Sequence, residues 1–171
     1  MLVLLATACT HTPKSVDTTD NIELLSQAIT ALSGEIIPSE ANETSRILLN
    51  TTSELAKQYN MASPAKYHNL LVNLGLRKRG LCCHWAEDLH AKLRQINSYS
   101  LEFDWVVTKH GNILQEHNTV IIFASNSSWE NGLIYDPWRN SGEPFWSQVG
   151  QDKYQWKRHP LSGQWQDLHC E

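Results

Sequence analysis

The spacing of hydrophobic residues in the first half of the chain predicts helices. Apolar residues recur there three or four positions apart, which is the period that gives a helix one buried face. Glycine and proline residues separate the stretches that show this period, as expected where a helix ends and the chain turns. The predicted helices cover residues 22–33, 40–59, 64–74 and 82–96.

Each of the last two predicted helices carries one apolar stripe that we expect to face the core. In the third helix, the stripe consists of Tyr67, Leu70, Leu71 and Leu74. In the fourth helix, Cys82 shares its face with Trp85 and Leu89. Cys83 lies on a different side of the same helix, together with polar residues such as Glu87. We therefore expect Cys82 to point into the fold and Cys83 to point aside.

The hydrophobic pattern changes its period in the second half of the chain. Apolar and polar residues alternate over residues 101–107, and apolar runs follow over residues 117–123 and 133–136. Both patterns are typical of strands. Tyr154 and Trp156 predict a further short strand by the same alternation. Helices followed by antiparallel strands indicate an α+β domain.

The chain begins with a short apolar run that ends in small residues before a cysteine. Residues 1–8 read MLVLLATA, and Cys9 follows. This arrangement resembles the end of a bacterial lipoprotein signal, in which the cysteine is lipidated and becomes the mature N-terminus. Residues 10–20 are polar and resemble a tether. We therefore expect residues 1–20 to be a signal remnant and tether, residues 21–171 to be the folded domain, and a lipid on Cys9 to hold the protein on a membrane in the bacterial periplasm or at the cell surface.

Composition and charge narrow the function classes. With 41% hydrophobic and 19% charged residues, the chain is expected to fold rather than to remain disordered. A net charge of −4 and a pI near 6.0 argue against a nucleic-acid-binding module, which should show a basic excess. No apolar run reaches the ~18 residues that a membrane-spanning helix needs.

Cys82 is the candidate nucleophile because it stands where the fourth predicted helix begins. A helix N-terminus favours the reactive thiolate form of a cysteine through its unpaired backbone N–H groups. Gly80, two residues earlier, would let the backbone and a substrate approach closely. On the helix pattern alone, however, a small buried core residue is the better interpretation of Cys82.

His117 and Asp136 change that interpretation. His117 opens an apolar strand, which is an unusual place for an imidazole without a partner. If the turn at residues 126–127 forms the tip of a hairpin, His117 lies directly opposite Asp136, with the Cβ atoms about 4.5–5.5 Å apart. A cysteine activated by a histidine that an acid orients is a general pattern of nucleophilic catalysis. His84 and His90 are weaker candidates because they lie off the buried face of their helix.

Three sequence motifs resemble those of the transglutaminase-like superfamily. Residues 80–86 read GLCCHWA, which resembles the Gly-Val-Cys-x-x-Phe-Ala motif of that superfamily. His117 at the start of an apolar strand resembles its second motif, and residues 133–137, LIYDP, resemble its third. The motifs occur in the same order with similar gaps, and the resemblance covers about residues 80–138.

The resemblance implies a fold, a mechanism and a set of site residues. The fold would be papain-like, with N-terminal helices packed on a C-terminal antiparallel sheet and the cysteine helix buried at their junction. Cys82 would attack an amide or isopeptide carbonyl, His117 would act as the base, and Asp136 would orient His117. The backbone N–H of Cys82 is the expected oxyanion donor, and Trp85 and Trp138 are expected to line the substrate cleft. No metal or other cofactor is expected, and the substrate would be a protein, a peptide or peptidoglycan.

Other interpretations remain open. A CHAP-type peptidoglycan amidase or endopeptidase also uses a cysteine followed by a histidine and would fit the cell envelope. A non-catalytic envelope lipoprotein could instead bind a partner through an aromatic surface around Trp129, Trp138 and Trp146. A zinc site formed by Cys82, Cys83 and nearby histidines is least favoured, because adjacent cysteines on one helical turn cannot easily bind the same ion.

Two cysteines remain once Cys9 and Cys82 have been given roles. A spare exposed thiol would react in the oxidising compartment that the N-terminus implies. Cys170, the penultimate residue, lies on an end of the chain that would otherwise fray. A disulfide between Cys83 and Cys170 would hold that end against the cysteine helix, and the alternative is that both thiols are unpaired.

Overall fold

Four helices precede the sheet, in the order that the hydrophobic pattern predicts. The computed structural model describes residues 18–112, 114–160, 162 and 170. The helices are α1 (Thr18–Thr30), α2 (Pro38–Gln58), α3 (Ala65–Asn73) and α4 (Cys82–Leu93).

The second half of the chain forms one antiparallel sheet of five strands in the order β4-β3-β2-β1-β5. Short turns of 3₁₀-helix precede β3 and follow β4. The structure is therefore α+β, as the sequence predicts. The strands are β1 (Leu101–Thr108), β2 (His117–Ala124), β3 (Leu133–Tyr135), β4 (Trp146–Gln148) and β5 (Lys157–Arg158).

Helix α1 includes the last three residues of the predicted tether. Helix α1 begins at Thr18, so residues 18–20, which the sequence assigns to the tether, belong to the helix. Cys9 and the predicted signal lie outside the described residues. Within the described part of the chain, no helix combines the length and the apolar character needed to cross a membrane.

Strand β2 lies at the centre of the sheet and is buried on both faces. On one face, Val120 and Ile122 belong to the core cluster that includes Leu89 of α4. On the other face, Ile121 packs in a second cluster with Trp156 from the C-terminal segment. This double burial accounts for the continuous apolar run over residues 120–124 of β2, because a strand with one solvated face alternates apolar and polar residues.

The buried stripe predicted for the third helix is wrong. Leu70 and Leu74 are exposed, and the buried residues of α3 are Ala65 and His68. His68 Nδ1 accepts a hydrogen bond from the backbone N–H of Ala62 at 3.1 Å, and its Nε2 pairs with the Arg79 carbonyl at 2.9 Å. A polar histidine therefore attaches α3 to the fold, since its apolar stripe has no element to pack against in the described structure.

Candidate active site

Helix α4 begins at Cys82, and a histidine side chain stabilises this start. Leu81 is the N-cap residue and offers no side-chain acceptor. Instead His84 Nδ1 accepts hydrogen bonds from the backbone N–H groups of Gly80 and Leu81, at 3.1 and 3.2 Å. Burial, with the nearby Arg79 guanidinium, lowers the pKa of His84, which keeps the ring neutral and able to accept. The placement of His84 off the buried face of the helix was wrong, because this side chain is buried and caps the turn that carries Cys82.

Gly80 packs closely against a side chain of this chain, whereas the sequence suggested that it would approach a substrate. Its φ of +121° is a backbone conformation that residues with a side chain rarely adopt. A Cβ at this position would overlap the imidazole of His68, which hydrogen-bonds the preceding carbonyl of Arg79. Glycine is therefore needed for the packing between α3 and the start of α4, which corrects the role that the sequence suggests for it.

Helix α4 packs on β2 and places the Cys82 thiol beside the start of that strand. Cys82 Sγ lies 3.8 Å from the Glu116 carbonyl oxygen, to which the thiol donates, and His117 is the next residue. Cys82 is buried and is the one free cysteine among the described residues. The prediction that its side chain points into the fold is confirmed.

His117 and Asp136 form a buried pair, with His117 Nε2 at 2.6 Å from Asp136 Oδ2. The strand register differs from the predicted one by two residues. Val120 pairs with Tyr135, so the same register continues with Asp136 opposite Thr119 rather than opposite His117. A shift of two residues keeps both side chains on one face of the sheet, and the diagonal distance remains within reach of long side chains. The contact therefore exists, although the predicted pairing was wrong.

The environment of His117 favours its protonated form. Burial acts to lower the pKa of His117, but the hydrogen bond to Asp136 and the nearby Cys82 thiol outweigh it and raise the pKa to about 9. The hydrogen bond to Asp136 uses the Nε2 atom of His117. The other ring nitrogen, Nδ1, is buried and makes no hydrogen bond of ordinary geometry with the described residues. Nδ1 is thus the nitrogen left for Cys82, and the ring carries its second proton at neutral pH.

Asp136 has a second partner that sequence reasoning missed. Arg139 Nε lies 3.0 Å from Asp136 Oδ2, the same oxygen that His117 contacts. The other guanidinium nitrogens bind both carboxylate oxygens of Asp152, at 3.2 and 2.8 Å. The guanidinium also lies 4.0 Å from the ring centre of Phe145. The three-residue spacing of Asp136 and Arg139 was visible in the sequence, but their connection to Asp152 depends on the fold.

Three aromatic rings surround His117. The ring centres of Trp138, Tyr154 and Trp156 lie 4.7, 5.3 and 5.5 Å from that of His117. Trp138 is held in place because its Nε1 donates to Asn69 Oδ1 of α3 at 3.0 Å. The rings exclude water from the His117–Asp136 pair, and low local polarity strengthens such a hydrogen bond. Trp138 is partly buried and remains a candidate for the cleft wall.

Trp85 does not line a cleft. Its relative exposure is 1%, and its ring packs edge-on against Tyr59 with the centres 5.0 Å apart. A residue three positions after Cys82 on a helix points to the same side, and here that side is the hydrophobic core. The expectation that Trp85 contacts substrate is therefore wrong.

The predicted disulfide between Cys83 and Cys170 is confirmed. The two Cα atoms are 5.5 Å apart, and the residues are separated by 87 positions in the sequence. The bond attaches the C-terminal end of the chain to the first turn of α4. It also removes the neighbouring thiol with which Cys82 could otherwise react.

No protein-family model, curated protein or solved structure matches this chain. The resemblance to the transglutaminase-like superfamily consequently rests on the three sequence motifs alone. Among the described residues, no group of three or more histidine, cysteine, aspartate or glutamate side chains is arranged to hold a metal ion.

Proposed function

We propose that this chain is a cysteine-dependent acyl-transfer enzyme with a papain-like arrangement of its site. The observation that carries the proposal is the buried His117, which hydrogen-bonds Asp136 through one ring nitrogen and interacts with the free Cys82 thiol. Cys82 lies in α4, His117 lies in β2, and Asp136 directly follows β3. Such a set has the composition and connectivity of a nucleophile, a base and an orienting acid.

The first half of the reaction forms a thioester. A His117 pKa of about 9 keeps the imidazole protonated at neutral pH, and the imidazolium stabilises the thiolate form in which Cys82 reacts. The thiolate sulfur attacks the carbonyl carbon of an amide or isopeptide bond, and the carbonyl electrons move to oxygen. When the tetrahedral intermediate collapses, the C–N bond breaks and His117 gives its proton to the leaving amine.

The second half of the reaction releases the acyl group. Water or a second amine attacks the thioester and gives a proton to His117, and the C–S bond breaks to regenerate the Cys82 thiolate. The backbone N–H of Cys82 is the proposed oxyanion donor, because the first N–H groups of a helix have no partner within it. Asp136 holds the imidazole in the productive orientation throughout, and Arg139 holds Asp136.

We place the enzyme in the bacterial periplasm or at the cell surface, anchored through a lipid on Cys9. The Cys83–Cys170 disulfide supports this proposal, because disulfides persist mainly in oxidising compartments. A protein, a peptide or peptidoglycan is the corresponding substrate class.

The aromatic binding surface receives no support as an alternative function. Trp138 and Trp146 pack against the core cluster shared by the helices and the sheet. Trp129 packs against the separate cluster on the other face of the sheet. The three rings therefore do not form one surface.

Rate measurements of thiol alkylation test the site. A limiting amount of iodoacetamide is added to the native chain at neutral pH, and peptide mapping follows labelling at Cys82. We expect His117→Gln to slow this labelling about tenfold, because the thiolate loses its imidazolium partner. His110→Gln, which changes an exposed histidine, is the matched control. Equal labelling rates in all three chains would overturn the assignment of the pair.

Trapping the intermediate tests the reaction itself. The wild-type chain and Cys82→Ala are incubated with an envelope extract, and adducts on residue 82 are sought by mass spectrometry. An acyl adduct that hydroxylamine removes is expected on the wild-type chain, since hydroxylamine cleaves thioesters. If rapid, His117-dependent labelling occurs but neither an acyl adduct nor amide cleavage is ever detected, the acyl-transfer chemistry is wrong although the thiol is activated.

A further inference from the structure

The segment from residue 55 to residue 86 is basic in a chain that is acidic overall. It contains no aspartate or glutamate, whereas the chain as a whole has a net charge of −4. Arg79 in this segment is neutralised by Glu87 and Asp88 of α4, at 2.8 and 3.0 Å. Lys66, Arg77 and Lys78 form no ion pair with the described residues.

The same segment exposes large apolar side chains. Tyr67, Leu70, Leu74 and Leu76 have relative exposures of 50%, 51%, 63% and 61%. Scattered apolar residues are normal on a protein surface, but a contiguous group of them marks an interaction site. Tyr67, Leu70 and Leu74 follow one another at steps of three and four and so lie on one side of α3. Lys66 lies one helical turn before Leu70 and therefore on the same side of α3, and Arg77 and Lys78 follow Leu76 in the turn after the helix, so apolar and cationic groups share one surface. This surface, called here the α3 face, comprises Lys66, Tyr67, Leu70, Leu74, Leu76, Arg77 and Lys78.

The α3 face is held in place by hydrogen bonds. The backbone N–H groups of Leu76 and Arg77 both donate to the Leu71 carbonyl, at 2.9 and 3.1 Å, which folds the chain back onto the end of α3. Arg77 also donates from its side chain to the carbonyls of Asn60 and Leu76. On the opposite side of the helix, His68 fixes α3 to the fold. The exposed leucines therefore belong to an ordered surface.

We propose that the α3 face docks on an anionic membrane surface. Leucine side chains enter the boundary between headgroups and acyl chains, tyrosine suits the same depth, and lysine and arginine pair with anionic headgroups. The inference rests in part on the proposed lipid on Cys9, because the chain from Cys9 to the start of α1 at Thr18 reaches at most about 30 Å and would keep the domain close to the membrane. A second copy of the chain fits less well, because a two-fold contact would place the same cations against each other.

Vesicle binding by the full chain carrying Cys9→Ser tests this proposal without a contribution from the lipid anchor. Co-sedimentation is measured with vesicles of phosphatidylcholine alone and of phosphatidylcholine mixed with phosphatidylglycerol. We expect binding to the anionic vesicles only. Lys66→Glu combined with Lys78→Glu should weaken it more than about tenfold, since each basic residue near an anionic surface is worth roughly fivefold in affinity. Leu70→Ser combined with Leu74→Ser should weaken it about tenfold.

Matched variants and a second readout locate the contact. Leu24→Ser changes a leucine of α1 that is 53% exposed, and Lys92→Glu changes an exposed lysine of α4. Both controls should bind like the parent chain, and circular dichroism checks that every variant is folded. Hydrogen–deuterium exchange should slow over residues 65–78 when vesicles are added.

Three outcomes would overturn the proposal. The first is no binding of the Cys9→Ser chain to anionic vesicles at any lipid concentration. The second is binding that the α3-face variants leave unchanged. The third is self-association of the chain in solution that the leucine pair abolishes, which would assign the face to a second copy. None of these outcomes bears on labelling or acylation of Cys82, so the proposed enzyme activity is tested separately.

Discussion

Helices α3 and α4 follow each other in the chain and carry apolar stripes of the same kind, but only the stripe of α4 is buried. Trp85 and Leu89 of α4 lie in the core, whereas Leu70 and Leu74 of α3 are exposed. Helix α4 packs against α2 and two strands of the sheet. Helix α3 is attached through the polar side chain of His68. Periodicity thus identifies the apolar side of a helix, but the neighbouring elements determine whether that side is covered.

The two helices also differ in their relation to the site. The buried stripe of α4 directs Cys82 toward β2, so packing of the core positions the thiol. Helix α3 supports the site through two polar contacts. Its His68 contacts the Arg79 carbonyl, and its Asn69 binds Trp138 beside His117. The site therefore depends on the burial of one helix and on polar contacts of the other.

A matched pair of leucine substitutions gives the largest expected difference in the free energy of unfolding. Leu89→Ala in α4 should lower the free energy of unfolding by about 2–5 kcal/mol, because it leaves a cavity in a packed core. Leu70→Ala in α3 should change it by less than about 0.5 kcal/mol, because its side chain is half exposed. Urea unfolding followed by circular dichroism measures both. Similar losses for the two variants would mean that the stripe of α3 is covered in solution.

Two glycines between α3 and α4 give the next largest expected difference in the free energy of unfolding. Gly80→Ala combines an unfavourable φ of +121° with an overlap on His68, and should lower the free energy of unfolding by about 2–4 kcal/mol. Gly75→Ala is the control, because Gly75 also has a positive φ of +71° but nothing within 4 Å of an added Cβ. It should lower the free energy of unfolding by about 1 kcal/mol. Cys82 labelling should slow in Gly80→Ala alone, and an equal response of both variants would contradict the role of His68.

The pH dependence of the free energy of unfolding distinguishes the buried His117 from the exposed His110. The pKa of His117 is raised from its ordinary 6.5 to about 9, so the folded state binds this proton more tightly than the unfolded state. The resulting stabilisation is complete below pH 6.5 and is lost as the pH rises through about 9. The free energy of unfolding should therefore fall across this window by up to about 3 kcal/mol.

The His117→Gln variant should remove this dependence, whereas His110→Gln should retain it. Urea unfolding at a series of pH values provides the measurement. A stability that stays level between pH 6.5 and 9 in the wild-type chain would show that His117 does not hold its proton in the folded state.

Arg139→Gln gives the smallest expected effect, and it is specific to the site. It removes a positive charge beside Asp136, so the pKa of His117 should rise further and the fall in the free energy of unfolding with pH should move to higher pH. The labelling rate at neutral pH should fall by no more than about tenfold, because Asp136 is less firmly oriented. Arg139→Lys keeps the charge and should keep the pH profile. A merely structural role for Arg139 would lower stability without moving that profile.

The candidate triad could be predicted from the sequence because its signals are local. Cys82 stands at a helix start, His117 opens a strand and Asp136 ends one. An error of two residues in the register did not matter, since an even shift preserves the face of a strand. The Cys83–Cys170 pairing was predictable for a similar reason, because the helix pattern directs Cys83 away from Cys82.

The partners that hold the triad were not predictable. His84 as the cap of α4, His68 as the contact of Gly80, and Asp152 as the partner of Arg139 all depend on which elements the fold brings together. The error for Trp85 has the same origin. The helix pattern placed it on the face of Cys82, but only the packed structure shows that this face continues into the core rather than into a cleft.

Local periodicity, which is a property of neighbouring residues, was enough to determine the α+β order, the helix that carries Cys82, and the strands that carry His117 and Asp136. Tertiary structure alone decided which apolar stripe was covered, which histidines were buried, and how Asp136 divides its hydrogen bonds between His117 and Arg139. The physical reason is that burial and pKa depend on atoms from distant parts of the chain, and a pattern along the chain does not specify those distances.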